Sequence, residues 1–253
     1  MDSKTGLSVT IVAGNAEDTI ADCLKSVSFA DEIVVVIDSR CEDNTKAIAE
    51  SFGCRVYTEE WKGYDGQKNS AVQKCTNEWV LSIDSDETVP DTTRDAILKE
   101  LLSPRCDVYR LPRKNHLHGR WLKRGDFWPD WQIRLFKKSS GRFVGNPHDK
   151  WVSNAPVGTI DEPIEHYSFK DYEDMIRRMN TYSNIGALEL YKKGIKANRL
   201  TPLVHGLSMF IKIYLIKRGF LDGFDGLVNA VLKASGSFFK YAKLIELRNQ
   251  KTD

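Results

Sequence analysis

Short apolar blocks alternate with stretches of helical spacing along the first hundred residues. Leu7-Ser-Val-Thr-Ile-Val-Ala13 reads as a buried strand ended by Gly14-Asn15. From Ala16 to Ser26, Ile20, Cys23 and Leu24, with Val27 just beyond, repeat at the spacing of one helical face. Glu32-Ile-Val-Val-Val-Ile37 is apolar nearly throughout, as a strand covered on both faces must be. After a polar loop from Asp38 to Asn44, the pattern predicts a short helix over Thr45–Phe52, stopped at Gly53. A third strand over Arg55–Thr58, a helix over Gln67–Cys75 and a fourth strand over Trp79–Ile83 follow. Asp91–Leu102 reads as a helix whose N-terminal acids suit its dipole.

Strands alternating with helices predict a parallel sheet with right-handed crossovers, and ligands in such sheets sit beyond the carboxyl ends of the strands. That rule selects Ala13–Glu17, Asp38 and Asp84–Glu87, all polar or acidic loops. From Tyr109 the pattern changes. Asp107–Leu111 and Gln132–Phe136 read as strands flanking an aromatic and basic loop. Tyr167–Tyr191 reads as a long helix, and residues 200–247 as two or three amphipathic helices rich in Phe, Leu, Ile and Lys.

The length of 253 residues allows one large domain or one domain with an extension, and 41% hydrophobic with 28% charged residues is ordinary for a soluble globular protein. The net charge of +2 hides an asymmetry. Residues 191–253 hold 12 Lys+Arg against 4 Asp+Glu, a net +8, while the other 190 residues hold 25 against 31, a net −6. A basic end on an acidic body points to an anionic surface contacted by that end. The acidic body lacks a basic face with interleaved aromatics, which argues against nucleic acid. Five scattered cysteines with no CxxC spacing exclude a zinc site built on such a pair and fit reduced thiols. The opening MDSKTGLSVT lacks a signal-peptide pattern. The longest apolar stretch, Leu203–Ile216, is too short to span a membrane and contains His205 and Lys212. The expectation is a cytoplasmic protein, peripheral on a membrane.

Ile83-Asp84-Ser85-Asp86-Glu87 carries the strongest chemical signal. Two carboxylates two residues apart at a strand end can reach a hard cation and a sugar nucleotide together, and oxygen ligands suit Mn²⁺ or Mg²⁺. A solvated turn or a helix cap would look the same in isolation; the strand before it and the Asp38 loop favour the functional reading. The run from Leu7 to Glu50, then GYDGQKNSAV, then WVLSIDSDE, resembles glycosyltransferase family 2, which has the GT-A fold. The later segments PDWQIRLFKK, FVGNPHDKWV, IEHYSFKDYEDMIRRMNTYS and KRGFLDGFDGLVNAVLKASGSFFKYAKL resemble a subgroup of bacterial lipopolysaccharide and lipooligosaccharide core β-1,4-glucosyltransferases.

The resemblance implies an α/β GT-A catalytic domain over residues 1–190, with a nucleotide-sugar half to about residue 105 and an acceptor half from 106. A basic amphipathic helical extension would occupy 191–253. It implies an inverting enzyme that moves a hexose, glucose from UDP-glucose, to an inner-core saccharide at the cytoplasmic face of the inner membrane. Ala13, Asn15 and Glu17 would line the base and ribose pocket. Asp38 would accept from the uracil or ribose, Lys68 would face the diphosphate or uracil, and Asp84 and Asp86 would hold sugar, ribose and metal, with Asp86 the more direct metal ligand. The subgroup has Lys-Asn-Glu after the first strand, where this chain has Gly14-Asn15-Ala16-Glu17. It has a His-Glu pair where this chain has His148-Asp149, which makes Asp149 the candidate base and His148 its competitor.

His166 is a further candidate metal ligand. Trp128, Asp130 and Arg134 fall in a segment the resemblance places near donor and acceptor: Trp128 to stack on a sugar, Arg134 to pair with phosphate. His116, His118, Arg120, Lys123 and Arg124 are either a solvated loop or contacts to a phosphorylated acceptor. Phe210, Tyr214, Phe220 and Phe224, interleaved with Lys212, Lys217 and Arg218, suit either a membrane interface or packing on another surface. Two other readings compete. A sugar-phosphate nucleotidyltransferase would want a Gly-rich basic loop after the first strand, where Ala13–Asp18 is acidic. A non-catalytic membrane-associated binding module is permitted by the basic end alone.

Overall fold

The computed structural model describes residues 5–145 and 149–249. In chain order the strands are β1 (Leu7–Ala13), β2 (Glu32–Asp38), β3 (Arg55–Glu59), β4 (Trp79–Asp84), β5 (Glu87–Thr88), β6 (Val108–Leu117), β7 (Arg120–Trp121), β8 (Asp130–Lys137), β9 (Gly141–Val144), β10 (Lys150–Ser153), β11 (Val157–Thr159) and β12 (Ile164–Phe169). The helices are α1 (Ile20–Ser26), α2 (Thr45–Ser51), α3 (Tyr64–Gln73), α4 (Asp91–Leu102), α5 (Tyr172–Lys192), α6 (Thr201–Phe210) and α7 (Gly223–Asn249). The chain forms two compact units: Met1–Arg113 with Asp130–His166, and Lys114–Pro129 with Tyr167–Asp253.

The first unit is built on a mixed sheet ordered β3-β2-β1-β4-β8-β6-β12-β5. β3, β2, β1 and β4 run parallel, and β8 is antiparallel to both β4 and β6. The apolar β1, β2 and β4 are fully covered, as their unbroken Val/Ile/Leu runs require: Val9, Ile11, Val34, Val35, Val36, Val80 and Leu81 have no exposed surface. Phe136 stacks on Trp151 of the β9–β10 hairpin at 3.6 Å between ring centroids and closes a second apolar cluster.

The second unit has a small core of Leu117, Leu122, Phe127 and Met175. His118 (φ 52°) and Gly119 (φ 72°) both hold left-handed backbone in the two-residue turn between paired Leu117 and Arg120, the twist that such hairpin loops need. α5 and α6 each pack on α7. Among the described residues no helix is long and apolar enough to cross a membrane.

Two expectations are corrected. The helix predicted from Tyr167 begins at Tyr172, because Ile164–Phe169 is strand β12 and Asp171 caps the helix by accepting from the Asp174 amide at 2.8 Å. The helix predicted from Ala16 begins at Ile20, because the Ala16 and Glu17 amides donate to Thr45 Oγ1 and Asp43 instead. By compactness α5 groups with the later helices in the second unit.

Candidate functional site

The parallel register sets three strand ends side by side: Ala13 lies opposite Ile37, and Val12 opposite Asp84. The loops leaving β1 and β2 are then stitched together. Asn15 Oδ1 accepts from the Glu42 amide at 2.9 Å. Glu17 Oε2 accepts from the Asn44 amide and side chain at 3.1 and 2.9 Å, and the Glu17 amide donates to Asp43 at 3.0 Å. Burial alone would raise the Asp43 carboxyl; the hydrogen bonds from Thr45 and Glu17 outweigh it and pull it down to about 2. Asn15 and Glu17 therefore shape this edge by fixing its loops. Asp38 receives Arg40, whose Nε lies 3.1 Å from both carboxylate oxygens, and that hydrogen bonding holds Asp38 below the usual range. Arg40 went unnoticed in the sequence, although an Arg two residues after a strand-end Asp is within reach of it.

Beneath Asp84 lies a lattice of buried charges. Asp84 Oδ1 is 2.9 Å from Lys68 Nζ, and Asp84 Oδ2 is 2.6 Å from Arg134 Nη2. Lys68 Nζ also reaches Asp149 Oδ2 at 3.0 Å. Arg134 bonds Glu87, and Arg113 joins Glu87 at 3.2 Å to Asp130 at 2.6 Å. Glu87, with no exposed surface, returns to accept from the Asp84 amide at 2.9 Å and so fixes the turn that carries Ser85 and Asp86. Burial opposes the charges on Asp84, Lys68, Arg113 and Arg134, yet their partners prevail. Arg134, Lys68 and Arg113 hold Asp84 far below the usual carboxylate range, while Asp84 and Asp149 hold Lys68 above the usual lysine value. Such a lattice fixes geometry more than it stabilises, because desolvation consumes most of the attraction.

The lattice gathers Lys68, Asp84, Asp130, Arg134 and Asp149 from the expected residues, gives a role to Glu87 of the selected loop, and adds Arg113, which the sequence reading missed. In β6 Arg113 shares a face with buried Leu111, and a charge on that face was the available sign for it. Arg134, expected to pair with a phosphate, is 4% exposed and turned into the lattice on Asp84 and Glu87. Asp86 stands apart from these cations. Its Oδ1 lies 3.5 Å from His166 Nε2, with the two side chains 25% and 12% exposed. The pairing arises because His166 lies opposite Glu87 in the β12–β5 ladder. Among the described residues no three His, Cys, Asp or Glu side chains form a metal-binding group. The Asp86–His166 pair offers two donors, a number that suits a hard divalent ion sharing its shell with phosphate oxygens and water. Both Asp84 oxygens are taken by cations, so Asp84 fits a metal less well. Trp128 belongs to the second unit, and His148 lies outside the described residues.

The family model for glycosyl transferase family 2 matches residues 8–156. A glycosyltransferase of Rickettsia typhi is 33% identical over 257 residues, covering 95% of this chain and 87% of the relative. The lipopolysaccharide core biosynthesis glycosyltransferase LpsC of Rhizobium meliloti is 27% identical, covering 94% of each. Among solved structures, S. aureus TarS 1–349 aligns with a TM-score of 0.50 at 16% identity over 97% of this chain and 92% of that one. Glucosyl-3-phosphoglycerate synthase of Mycobacterium tuberculosis, in complex with Mn²⁺, UDP and glucosyl-3-phosphoglycerate, aligns at 0.51 and 16% over 76% and 81%. These two likenesses bear on the fold, which is the mixed, mostly parallel GT-A sheet flanked by helices.

Proposed function

Since the chain belongs to glycosyl transferase family 2, we propose that it is an inverting transferase that moves glucose from UDP-glucose to an inner-core saccharide of lipopolysaccharide or lipooligosaccharide. The observation that carries this reading is the pairing of Asp86 with His166 beside the Lys68–Asp84–Asp149 cluster at the end of β4. The likeness to LpsC along nearly the whole of both chains supports the acceptor class. The Mn²⁺ and UDP bound by the mycobacterial neighbour support the donor and the ion.

Asp86 and His166 would hold the divalent ion, Mn²⁺ or Mg²⁺. Bound there, it offsets negative charge on the departing diphosphate. Lys68, kept charged by Asp84 and Asp149, supplies a second positive group toward the diphosphate. Asp84 serves chiefly to position Lys68 and to anchor the turn. Ala13, Asn15 and Glu17 border the nucleoside pocket. Asp38 reaches uracil or ribose once Arg40, 70% exposed, swings aside. Asp149 takes the acceptor hydroxyl proton as that oxygen bonds to the anomeric carbon. The bond from that carbon to the diphosphate oxygen breaks, and its electron pair leaves with UDP. Lys68, 3.0 Å from Asp149, holds that carboxylate in place for this task; His148 is the competing base.

The second unit, with 19 Lys+Arg against 9 Asp+Glu for a net +10, would lie on the anionic cytoplasmic face of the inner membrane, where a lipid-linked acceptor is presented. A transfer and donor-hydrolysis assay with UDP-sugars, with and without Mn²⁺, tests the enzymatic reading. Metal-dependent release of UDP is expected, and its absence with every UDP-sugar would remove the proposal.

A further inference from the structure

The second unit contains a cleft of about 360 Å³ that the transfer reaction leaves unused. One wall is Lys123–Pro129 and the other Ile216–Arg218. Four cations line it, Lys123, Arg124, Lys217 and Arg218, with Asp126 as the single acid and Trp128 as the aromatic wall. Lys217 pairs with Asp126, and Lys233 approaches the same carboxylate at 4.0 Å. Asp126 is thereby neutralised. Among the described residues Lys123, Arg124 and Arg218 have no carboxylate partner, and all three are exposed. Three uncompensated cations around a space of this size, two of them with the forked donors of arginine, match the charge and geometry of a phosphate group.

The walls are held in place rather than loosely apposed. The Gly125 amide donates to the Lys217 carbonyl at 3.1 Å, and the Arg124 amide donates to Asp222 Oδ2 at 2.7 Å. Gly125 has φ 70°, and a Cβ there would come within 3.2 Å of Asn229. Ile211–Ile216 is a π-helix, a rare form concentrated at functional sites. Two residues past its end stands Arg218, one of two described non-glycine residues with positive φ (54°). Backbone held in so sparsely populated a region persists where its surroundings enforce it, often at ligand clamps.

Apolar side chains stand open beside the cleft. Leu215 and Ile216 are 55% and 73% exposed, and Phe220 and Leu221, which follow Arg218 and Gly219, are also exposed. A phosphate site rimmed by exposed aliphatic groups suits the interface of a bilayer, where the cations meet headgroups and the apolar side chains meet acyl chains. We propose that this cleft is a phosphate-binding site, filled by a lipid headgroup phosphate when the second unit meets a bilayer. The inference rests on the membrane-facing reading of the second unit and adds to it a discrete site.

The test is cosedimentation of the full chain with vesicles of phosphatidylcholine alone, with added phosphatidylserine, and with added phosphatidic acid. A parallel titration uses inorganic phosphate. Binding is expected to be strongest with phosphatidic acid, and to fall about thirtyfold in the double variant Lys123→Gln/Arg218→Gln, from two cations near an anionic surface. Lys193→Gln/Lys196→Gln, which removes the same charge from exposed positions outside the cleft, should cost several times less. Equal losses in the two double variants would overturn the phosphate site and leave the membrane reading standing on diffuse charge. Wild-type protein that binds inorganic phosphate through Lys123 and Arg218 but no vesicle would keep the phosphate site and overturn its lipid source. Binding to neither probe would overturn the proposal.

Discussion

In the first unit charge is turned inward: Lys68, Arg113 and Arg134 are each held between carboxylates at the end of the sheet, and the aliphatic side chains of β1, β2 and β4 are sealed from water. In the second unit both relations reverse. Lys123, Arg124 and Arg218 face solvent, and Leu203, Val204, Leu207, Ile216 and Phe224 are each more than half exposed. The acidic unit, with 18 Lys+Arg against 26 Asp+Glu, spends its cations on internal order, whereas the basic unit presents its cations and apolar groups outward. A charge that is already satisfied fixes geometry for chemistry; one that is not recruits a partner.

Substitutions can break this contrast, beginning with the largest effect. Asp149→Asn should lower transfer by roughly 10²–10⁴-fold while leaving UDP-glucose binding near normal, because a general base acts only on the chemical step. Steady-state kinetics beside calorimetric donor titration would check this, and a loss found in His148→Ala instead would move the base to His148. Arg134→Met should cost about 3–5 kcal/mol of stability in urea melts, since it strands Glu87 and Asp84 next to each other in a buried site. A melt unchanged by this substitution would mean that the lattice carries no structural weight.

Smaller effects sharpen the comparison. Glu59, bound by Lys74 at 2.5 Å and by Ser70 and Lys62, is pulled by these partners from its ordinary 4.5 to about 2. Its folded-state value is depressed, so its contribution is fully present above 4.5 and lost as pH falls from there toward 2. Glu59→Gln should therefore destabilise by about 1 kcal/mol at neutral pH, and the gap to wild type should close on acidification. Leu215→Ser/Ile216→Ser, by contrast, should shift the melt by no more than about 0.5 kcal/mol, because these side chains are already in water, yet should weaken vesicle binding. A large loss of stability would show that the second unit needs them for packing.

The strands of the parallel half were legible because a strand covered on both faces is apolar throughout, and Leu7–Ala13, Glu32–Ile37 and Trp79–Ile83 all have that form. The β9–β12 region was not, because its strands are three to six residues long and half exposed, so no period repeats often enough to stand out. The strand-end loops were legible from topology alone, which led to Asp38, Asp84 and Asp86. Which carboxylate faces which cation was hidden. The pairing of Asp84 with Lys68 and Arg134, and of Asp86 with His166, depends on side chains 16 to 80 residues apart in the chain brought together by antiparallel strands and α3. The charge asymmetry was visible, but its boundary was blurred because Lys114–Pro129 joins the basic unit from the middle of the chain.

Asp86, and not the cation-bound Asp84, is proposed to carry the ion that holds the nucleoside diphosphate. Calorimetric titration of UDP into wild-type protein and Asp86→Ala, each with and without Mn²⁺, tests it directly. Mn²⁺ is expected to strengthen UDP binding by wild type and to have no such effect on Asp86→Ala; equal enhancement in both proteins would place the ion elsewhere.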